Sequence, residues 1–211
     1  LARVRVSPDV FTLVDYEASA IGRLAAEVAE GVGLSDDVEI ILEIDEATPF
    51  GSTSAAIDAT PGGPGVSPVT RVTLSVEGGA FENPKAIRQL SEEGTRLVLG
   101  RLLFRVRDRL DPGFGAPPPD PELTYAQHAA WDAYAVGRYA RLTGGSGGQD
   151  RRRYAFRLRH GFTDAADRAF DRLWRGEGLT WPDLENVMGL EEVMGTHRDE
   201  ESQVGRAAEQ G

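Results

Sequence analysis

Few residues in this 211-residue chain combine the type and the spacing that chemistry needs. His128 stands one helical turn before Asp132, near Tyr125 and Trp131. That spacing suits an imidazole acid or base oriented by a carboxylate, and equally an i, i+4 surface pair. The other two histidines suggest no site: His160 ends an arginine-rich segment and His197 lies in a polar tail. Glu43, Asp45 and Glu46, preceded by Asp36 and Asp37, form the densest carboxylate group. Carboxylates at a strand end can hold Mg²⁺ or work as an acid/base pair, although Glu43 and Asp45 share one face of a half-buried strand and are expected to be exposed. Arg151 to His160 interleaves arginines with Tyr154 and Phe156, as single-strand nucleic-acid binders do. The competing expectation is that Tyr154, Phe156 and Leu158 pack while the arginines face solvent or an acidic surface.

Other chemistries are excluded by composition. Zero cysteines remove disulfides, thiolate metal sites and cysteine nucleophiles together. The only lysine is Lys85, and no glycine-rich phosphate loop, dinucleotide fingerprint or nucleophile elbow occurs. A net charge of −11 argues against non-specific duplex binding. The charge is unevenly placed. Residues 1–60 hold 3 arginines and 12 acidic residues, whereas residues 151–175 hold 8 arginines and 3 aspartates. A basic patch of this kind can serve an acidic partner, or the acidic half of the same chain. Arg151, Arg152, Arg153, Arg157 and Arg159 are therefore the candidate residues for an anionic partner. No stretch approaches the length of a membrane span, and the opening pattern, strand-like from Ala2, predicts no signal peptide. A cytoplasmic setting is expected.

These residues need elements to position them. Strands are predicted at 2–6, 10–14, 38–44, 54–59 and 71–76, where apolar and β-branched residues alternate. A helix is predicted over 17–31, with Gly33 at its stop. The loop 60–65 is rich in proline and glycine. Asn83 and Pro84 read as an N-cap and first helical residue, and from there to Leu110 apolar residues fall at helical spacing. Between Leu97 and Phe104 only Gly100 and Arg101 interrupt the apolar run, so this helix should be buried on most sides.

Residues 112–121 contain five prolines and read as a stiff linker. Beyond it Thr124 and Gln127 make a capping box for a helix reaching Leu142. Its stripe Ala126, Ala130, Ala133, Gly137 and Ala140 is made of small residues, so another element should approach closely. Residues 163–175 and 180–188 predict a helical hairpin with Thr180 and Asp183 as a capping pair. The segment 154–160 stays open between strand and helix. The expected fold class is α+β: a small mixed sheet with a long buried helix over 1–111, the linker, a mainly helical part over 122–195 packed on the core, and a frayed polar tail over 196–211.

The order of helix, strands, edge strand and long helix resembles small zincin-like metallopeptidases of the minimal gluzincin type. In that family the long helix carries the zinc motif H-E-x-x-H. Laid against it, Gly100 and Phe104 stand at the two ligand positions and Arg101 at the general base. Glycine and phenylalanine cannot ligate and arginine cannot accept a proton, so the resemblance implies a scaffold that has lost its metal. The chain also resembles a group of uncharacterised, actinobacteria-restricted proteins associated with a regulator of a chromosome-partitioning ATPase. The expectation is a non-enzymatic protein with no catalytic residue, metal or cofactor, acting through a protein partner. The alternatives are a carboxylate- or metal-dependent enzyme at 43–46 and a nucleic-acid binder at 151–159.

Overall fold

The computed structural model describes residues 3–60 and 69–189. The expectations placed on residues 61–65, on the tail 196–211 and on His197 lie outside the described residues. The chain runs β1 (Arg3–Ser7), α1 (Ala18–Gly31), β2 (Val38–Asp45), β3 (Thr53–Thr60), β4 (Val69–Glu77), the hairpin β5 (Glu82–Asn83) and β6 (Ala86–Leu90), then α2 (Glu92–Leu110), α3 (Tyr125–Thr143), α4 (Gln149–His160) and α5 (Asp164–Arg175). A sixth helix, α6, covers residues 181–189. None of these helices is long and apolar enough to cross a membrane.

Four strands form one mixed sheet in the order β1-β2-β4-β3. The pairs β1–β2 and β2–β4 are parallel, and β3 closes one edge antiparallel to β4. Strand β2 shows why the sheet has two unlike faces. Val38, Ile40, Leu42 and Ile44 are buried, whereas Glu43 and Asp45, which alternate with them, are exposed. The buried face packs under α1 and α2 with Ile21, Leu24, Leu99 and Leu103. The opposite face carries charge in register: Arg3, Glu39, Arg71 and Asp58 form one row across the four strands. That row keeps the uncovered face wet.

Two expected boundaries fail for identifiable reasons. Residues 10–14 form no strand, because their backbone is held elsewhere: the amides of Thr12 and Leu13 donate to the Glu46 carboxylate at 2.8 and 2.7 Å. The long helix starts eight residues later than Asn83–Pro84 suggests. Asn83 Oδ1 accepts the Lys85 amide at 3.0 Å, so Asn-Pro makes the turn of the β5–β6 hairpin. Ser91 is the true N-cap, its hydroxyl accepting from the Gly94 amide at 3.1 Å. Ile87, read as part of the helical stripe, is consequently on β6 and 81% exposed.

The C-terminal helices build a second core around Trp131, Phe156, Phe170 and Leu184. Helix α3 lies between the two cores, with Ala135 and Tyr139 in the first and Ala133 and Val136 in the second. The small-residue stripe does what its spacing implied. A Cβ on Gly137 would stand 2.2 Å from the Trp174 carbonyl oxygen, so α5 meets α3 at backbone distance. The proline-rich stretch differs from a free linker: Phe114 is buried against Trp131, and Asp120 is buried against β3. Segment 154–160 is helical, within α4.

Candidate functional site

Helix α2 holds the positions at which a zinc motif would lie, and packing explains each. A Cβ on Gly100 would come within 2.3 Å of the Tyr139 ring, so glycine there lets α3 seat against α2. Phe104 is buried, with the Arg138 guanidinium 4.6 Å over its ring. Arg101 turns toward α3 and β3: Nη1 donates to Asp132 Oδ2 at 2.8 Å and Nη2 to Thr53 Oγ1 at 2.6 Å.

Arg101 is one end of a larger array along the α2–α3 seam. Arg105, one turn on and 2% exposed at its side chain, donates to Asp120 at 2.6 Å and to Asp132 at 3.2 Å. Arg109, a further turn on, reaches the same Asp120 oxygen at 2.9 Å and the Pro118 carbonyl at 2.7 Å. The other Asp120 oxygen accepts the Ala55 amide at 2.8 Å, pinning the outer edge of β3. Both guanidiniums also lie 4.6 Å over Trp131, where the ring face favours a cation. Trp131 Nε1 in turn donates to Asp108 at 2.8 Å, and Arg138 donates to both Asp108 oxygens. Unpaired, these charges would be very costly in an interior; paired and hydrogen-bonded, they fix how α2 and α3 meet.

His128 belongs to this array and is not set up as an acid or base. Its Nδ1 lies 3.4 Å from Arg105 Nη1 and its Nε2 lies 3.2 Å from the Asp120 carbonyl. A guanidinium can only donate, so Nδ1 accepts and the proton sits on Nε2, an assignment made from these partners. Burial, reinforced by the Arg105 charge, holds the imidazole below its ordinary pKa and therefore neutral. Burial of Asp132 would raise its pKa, but Arg101, Arg105 and Arg152 outweigh this and hold the carboxylate below its usual range.

The 43–46 carboxylates do not converge. Asp45 accepts from the Ala47 amide at 3.0 Å and the Thr48 hydroxyl at 2.5 Å, hydrogen bonds that lower its pKa. Glu46 ties down residues 12 and 13, and Glu43 is exposed on the open sheet face. Among the described residues no group of three histidine, cysteine, aspartate or glutamate side chains is placed to hold a metal ion.

Helix α4 sorts its arginines by side. Arg152, Arg153 and Arg157 turn inward to Asp132 at 3.6 Å, Asp171 at 2.5 Å and Asp167 respectively. Their partners are aspartates of α3 and α5, rather than the acidic N-terminal half. Arg151 and Arg159 stay on the outside with Tyr154, Leu158 and, just past the helix, Phe162, all exposed. Residues 151, 154 and 158 recur every three or four positions, so they share one face of α4, and Phe162, past the helix end, joins that face through Tyr154. Two aromatic contacts hold its geometry: Tyr154 meets Phe162 edge-on at 5.8 Å, and the Arg159 guanidinium lies 4.7 Å over Tyr125. On the inner side only Phe156 is fully buried, stacked on His160 and set edge-to-face with Phe170.

The sequence pointed to the α4 arginines as a set and did not separate inner from outer. It missed Arg105, Arg109, Asp108 and Asp120. One signal was available: arginines at 101, 105 and 109, spaced one turn apart along a helix otherwise apolar enough to be buried. Comparison with family models, with curated proteins and with solved structures found no match to this chain.

Proposed function

We propose that this is a non-catalytic, cytoplasmic protein that works by binding another protein, and that the outer face of α4 is where an acidic partner docks. The observation that carries the reading is the outer side of α4: Tyr154, Leu158 and Phe162 are large apolar side chains exposed on one face with Arg151, and Arg159 lies beside that face over Tyr125, the two cations having no carboxylate partner among the described residues. Aromatic anchors flanked by arginine are the side chains over-represented at the energetic centres of protein interfaces. A partner helix with an apolar stripe and carboxylates at its flanks would complement it. On this reading α2 is scaffold, a zincin-like helix whose ligand positions went to packing at Gly100 and Phe104 and to ion pairing at Arg101.

The test is a pull-down from cell extract with wild type and an Arg151→Glu/Leu158→Ser/Arg159→Glu variant. The same protein should be captured by wild type and lost by the variant. Arg152, Arg153 and Arg157 are unsuitable for this test, since removing them loosens α4 itself. Equal capture by both proteins contradicts the reading. A wild-type shift of single-stranded DNA that vanishes at higher salt would favour the nucleic-acid alternative.

A further inference from the structure

A second surface lies in the acidic N-terminal half, at the other end of the charge asymmetry. Because β1, β2 and β4 are parallel, the segments that follow them leave the sheet at the same end. These segments are interlocked. Glu46 holds the amides of Thr12 and Leu13, the Asp15 amide donates to the Arg88 carbonyl at 2.8 Å, and Gly79 meets the Pro49 and Phe50 backbone so closely that a Cβ would not fit. They form one continuous surface rather than three separate loops.

That surface displays apolar side chains that could have been polar at no cost to the core. Val10 is 68% exposed, Phe50 70% and Ile87 81%. Ile87 is followed by a strained residue. Arg88 has φ 65°, the only non-glycine residue with positive φ among the described residues. Its amide donates to Glu82 at 3.1 Å while its carbonyl accepts from Asp15. Backbone strain of this kind persists only where surrounding contacts enforce it, and it points to a purpose for the displayed residue. The charge around these residues is negative on balance. Segments 8–17 and 43–52 contain six carboxylates and no lysine or arginine, and segment 78–90 sets Glu82 against Lys85 and Arg88, which flank Ile87.

We infer that this end of the sheet is a docking face for a basic amphipathic segment of a partner protein, distinct from the acidic partner assigned to α4. Val10, Phe50 and Ile87 would take its apolar stripe, and Asp9, Asp15 and Glu43, all exposed, would meet its lysines or arginines. Steering by the net negative end speeds such an encounter, and the apolar anchors supply the affinity.

The probe is a synthetic helical peptide with leucines at three- and four-residue spacing and lysines elsewhere, alongside a scrambled peptide of equal composition. Binding is read by fluorescence anisotropy against the full chain. The patterned peptide should bind, the scrambled one should bind at least ~10-fold more weakly, and Phe50→Ser/Ile87→Ser should weaken the patterned peptide by roughly 10-fold or more, the size expected of interface anchors. Both substituted residues are exposed, so thermal melting of the variant should match wild type. Tyr154→Ser/Leu158→Ser on α4 should leave this binding unchanged, which separates the two surfaces. Equal binding of both peptides, no binding of the patterned one, or no effect of Phe50→Ser/Ile87→Ser overturns the inference. So does a dimer in sedimentation velocity that Ile87→Ser abolishes, since a second copy would then be the occupant.

Discussion

Two arginine-rich regions of this molecule, joined through Asp132, use the same side chain for opposite ends. Along the α2–α3 seam Arg101, Arg105 and Arg109 are almost wholly enclosed, and each reaches a carboxylate. On α4 the arginines divide between three that latch the helix to α3 and α5 and two that face outward with exposed aromatics. The difference is burial. Where water is excluded, an unmatched guanidinium is intolerable, so Asp120 and Asp132 are required. Where water is present, a free guanidinium costs nothing and stays available. A residue's functional reading therefore depends on what its helix face is packed against.

The contrast can be broken most forcefully at the seam. Asp120→Ala strands Arg105 and Arg109 and frees the β3 edge. It should cost about 3–5 kcal/mol in denaturant unfolding, the range for removing one partner of a buried pair, and a loss below ~1 kcal/mol would show that the array is not buried as described. Gly137→Ala should follow at about 1–3 kcal/mol, because α5 must back away from the new methyl. Thermal melts of the two variants would rank them.

The pH response comes next. His128 is neutral in the fold and titrates near 6.5 when unfolded. Between those two values the unfolded chain holds a proton that the native one does not. Stability therefore rises with pH across this window, and it is lost as pH falls below 6.5 toward the folded value. Asp132 adds a second loss below its unfolded value of 3.8, for the same reason of sign. Urea midpoints of wild type should start to fall below pH 6.5, whereas His128→Asn should stay flat until the carboxylates titrate; coincident profiles would remove His128 from the account. Smaller still, Arg153→Ala/Arg157→Ala should speed amide exchange across α4 and leave the sheet unchanged. Arg151→Ala/Arg159→Ala should alter stability by no more than ~0.5 kcal/mol.

How much of this was readable beforehand follows the physics of each element. Strand β2 announced itself through β-branched alternation, and α3 through its Thr124–Gln127 box, which forms with both hydrogen bonds. The small-residue stripe of α3 implied a close neighbour without naming α5. Asn83–Pro84 misled because asparagine and proline suit a hairpin turn as well as a helix start, and only the pairing of β5 with β6 decides between them. Helix α4 was ambiguous because its alternation of Tyr154, Phe156 and Leu158 is that of a strand. Phe156 faces the core while Tyr154 and Leu158 face out, so periodicity alone gave conflicting faces. Asp120 was hidden by its prolines, since a linker and a packed edge cover share one composition.

On the proposed function, α4 presents its outer side to an acidic protein while the buried arginines only hold the fold. The most direct test is anisotropy of a labelled helical peptide bearing a leucine stripe flanked by glutamates, titrated with wild type and with Arg151→Glu/Leu158→Ser/Arg159→Glu. Wild type should bind, and the variant, equally stable to heat, should bind at least ~10-fold more weakly. Equal affinity of the two proteins, or absence of binding by wild type, would contradict the account.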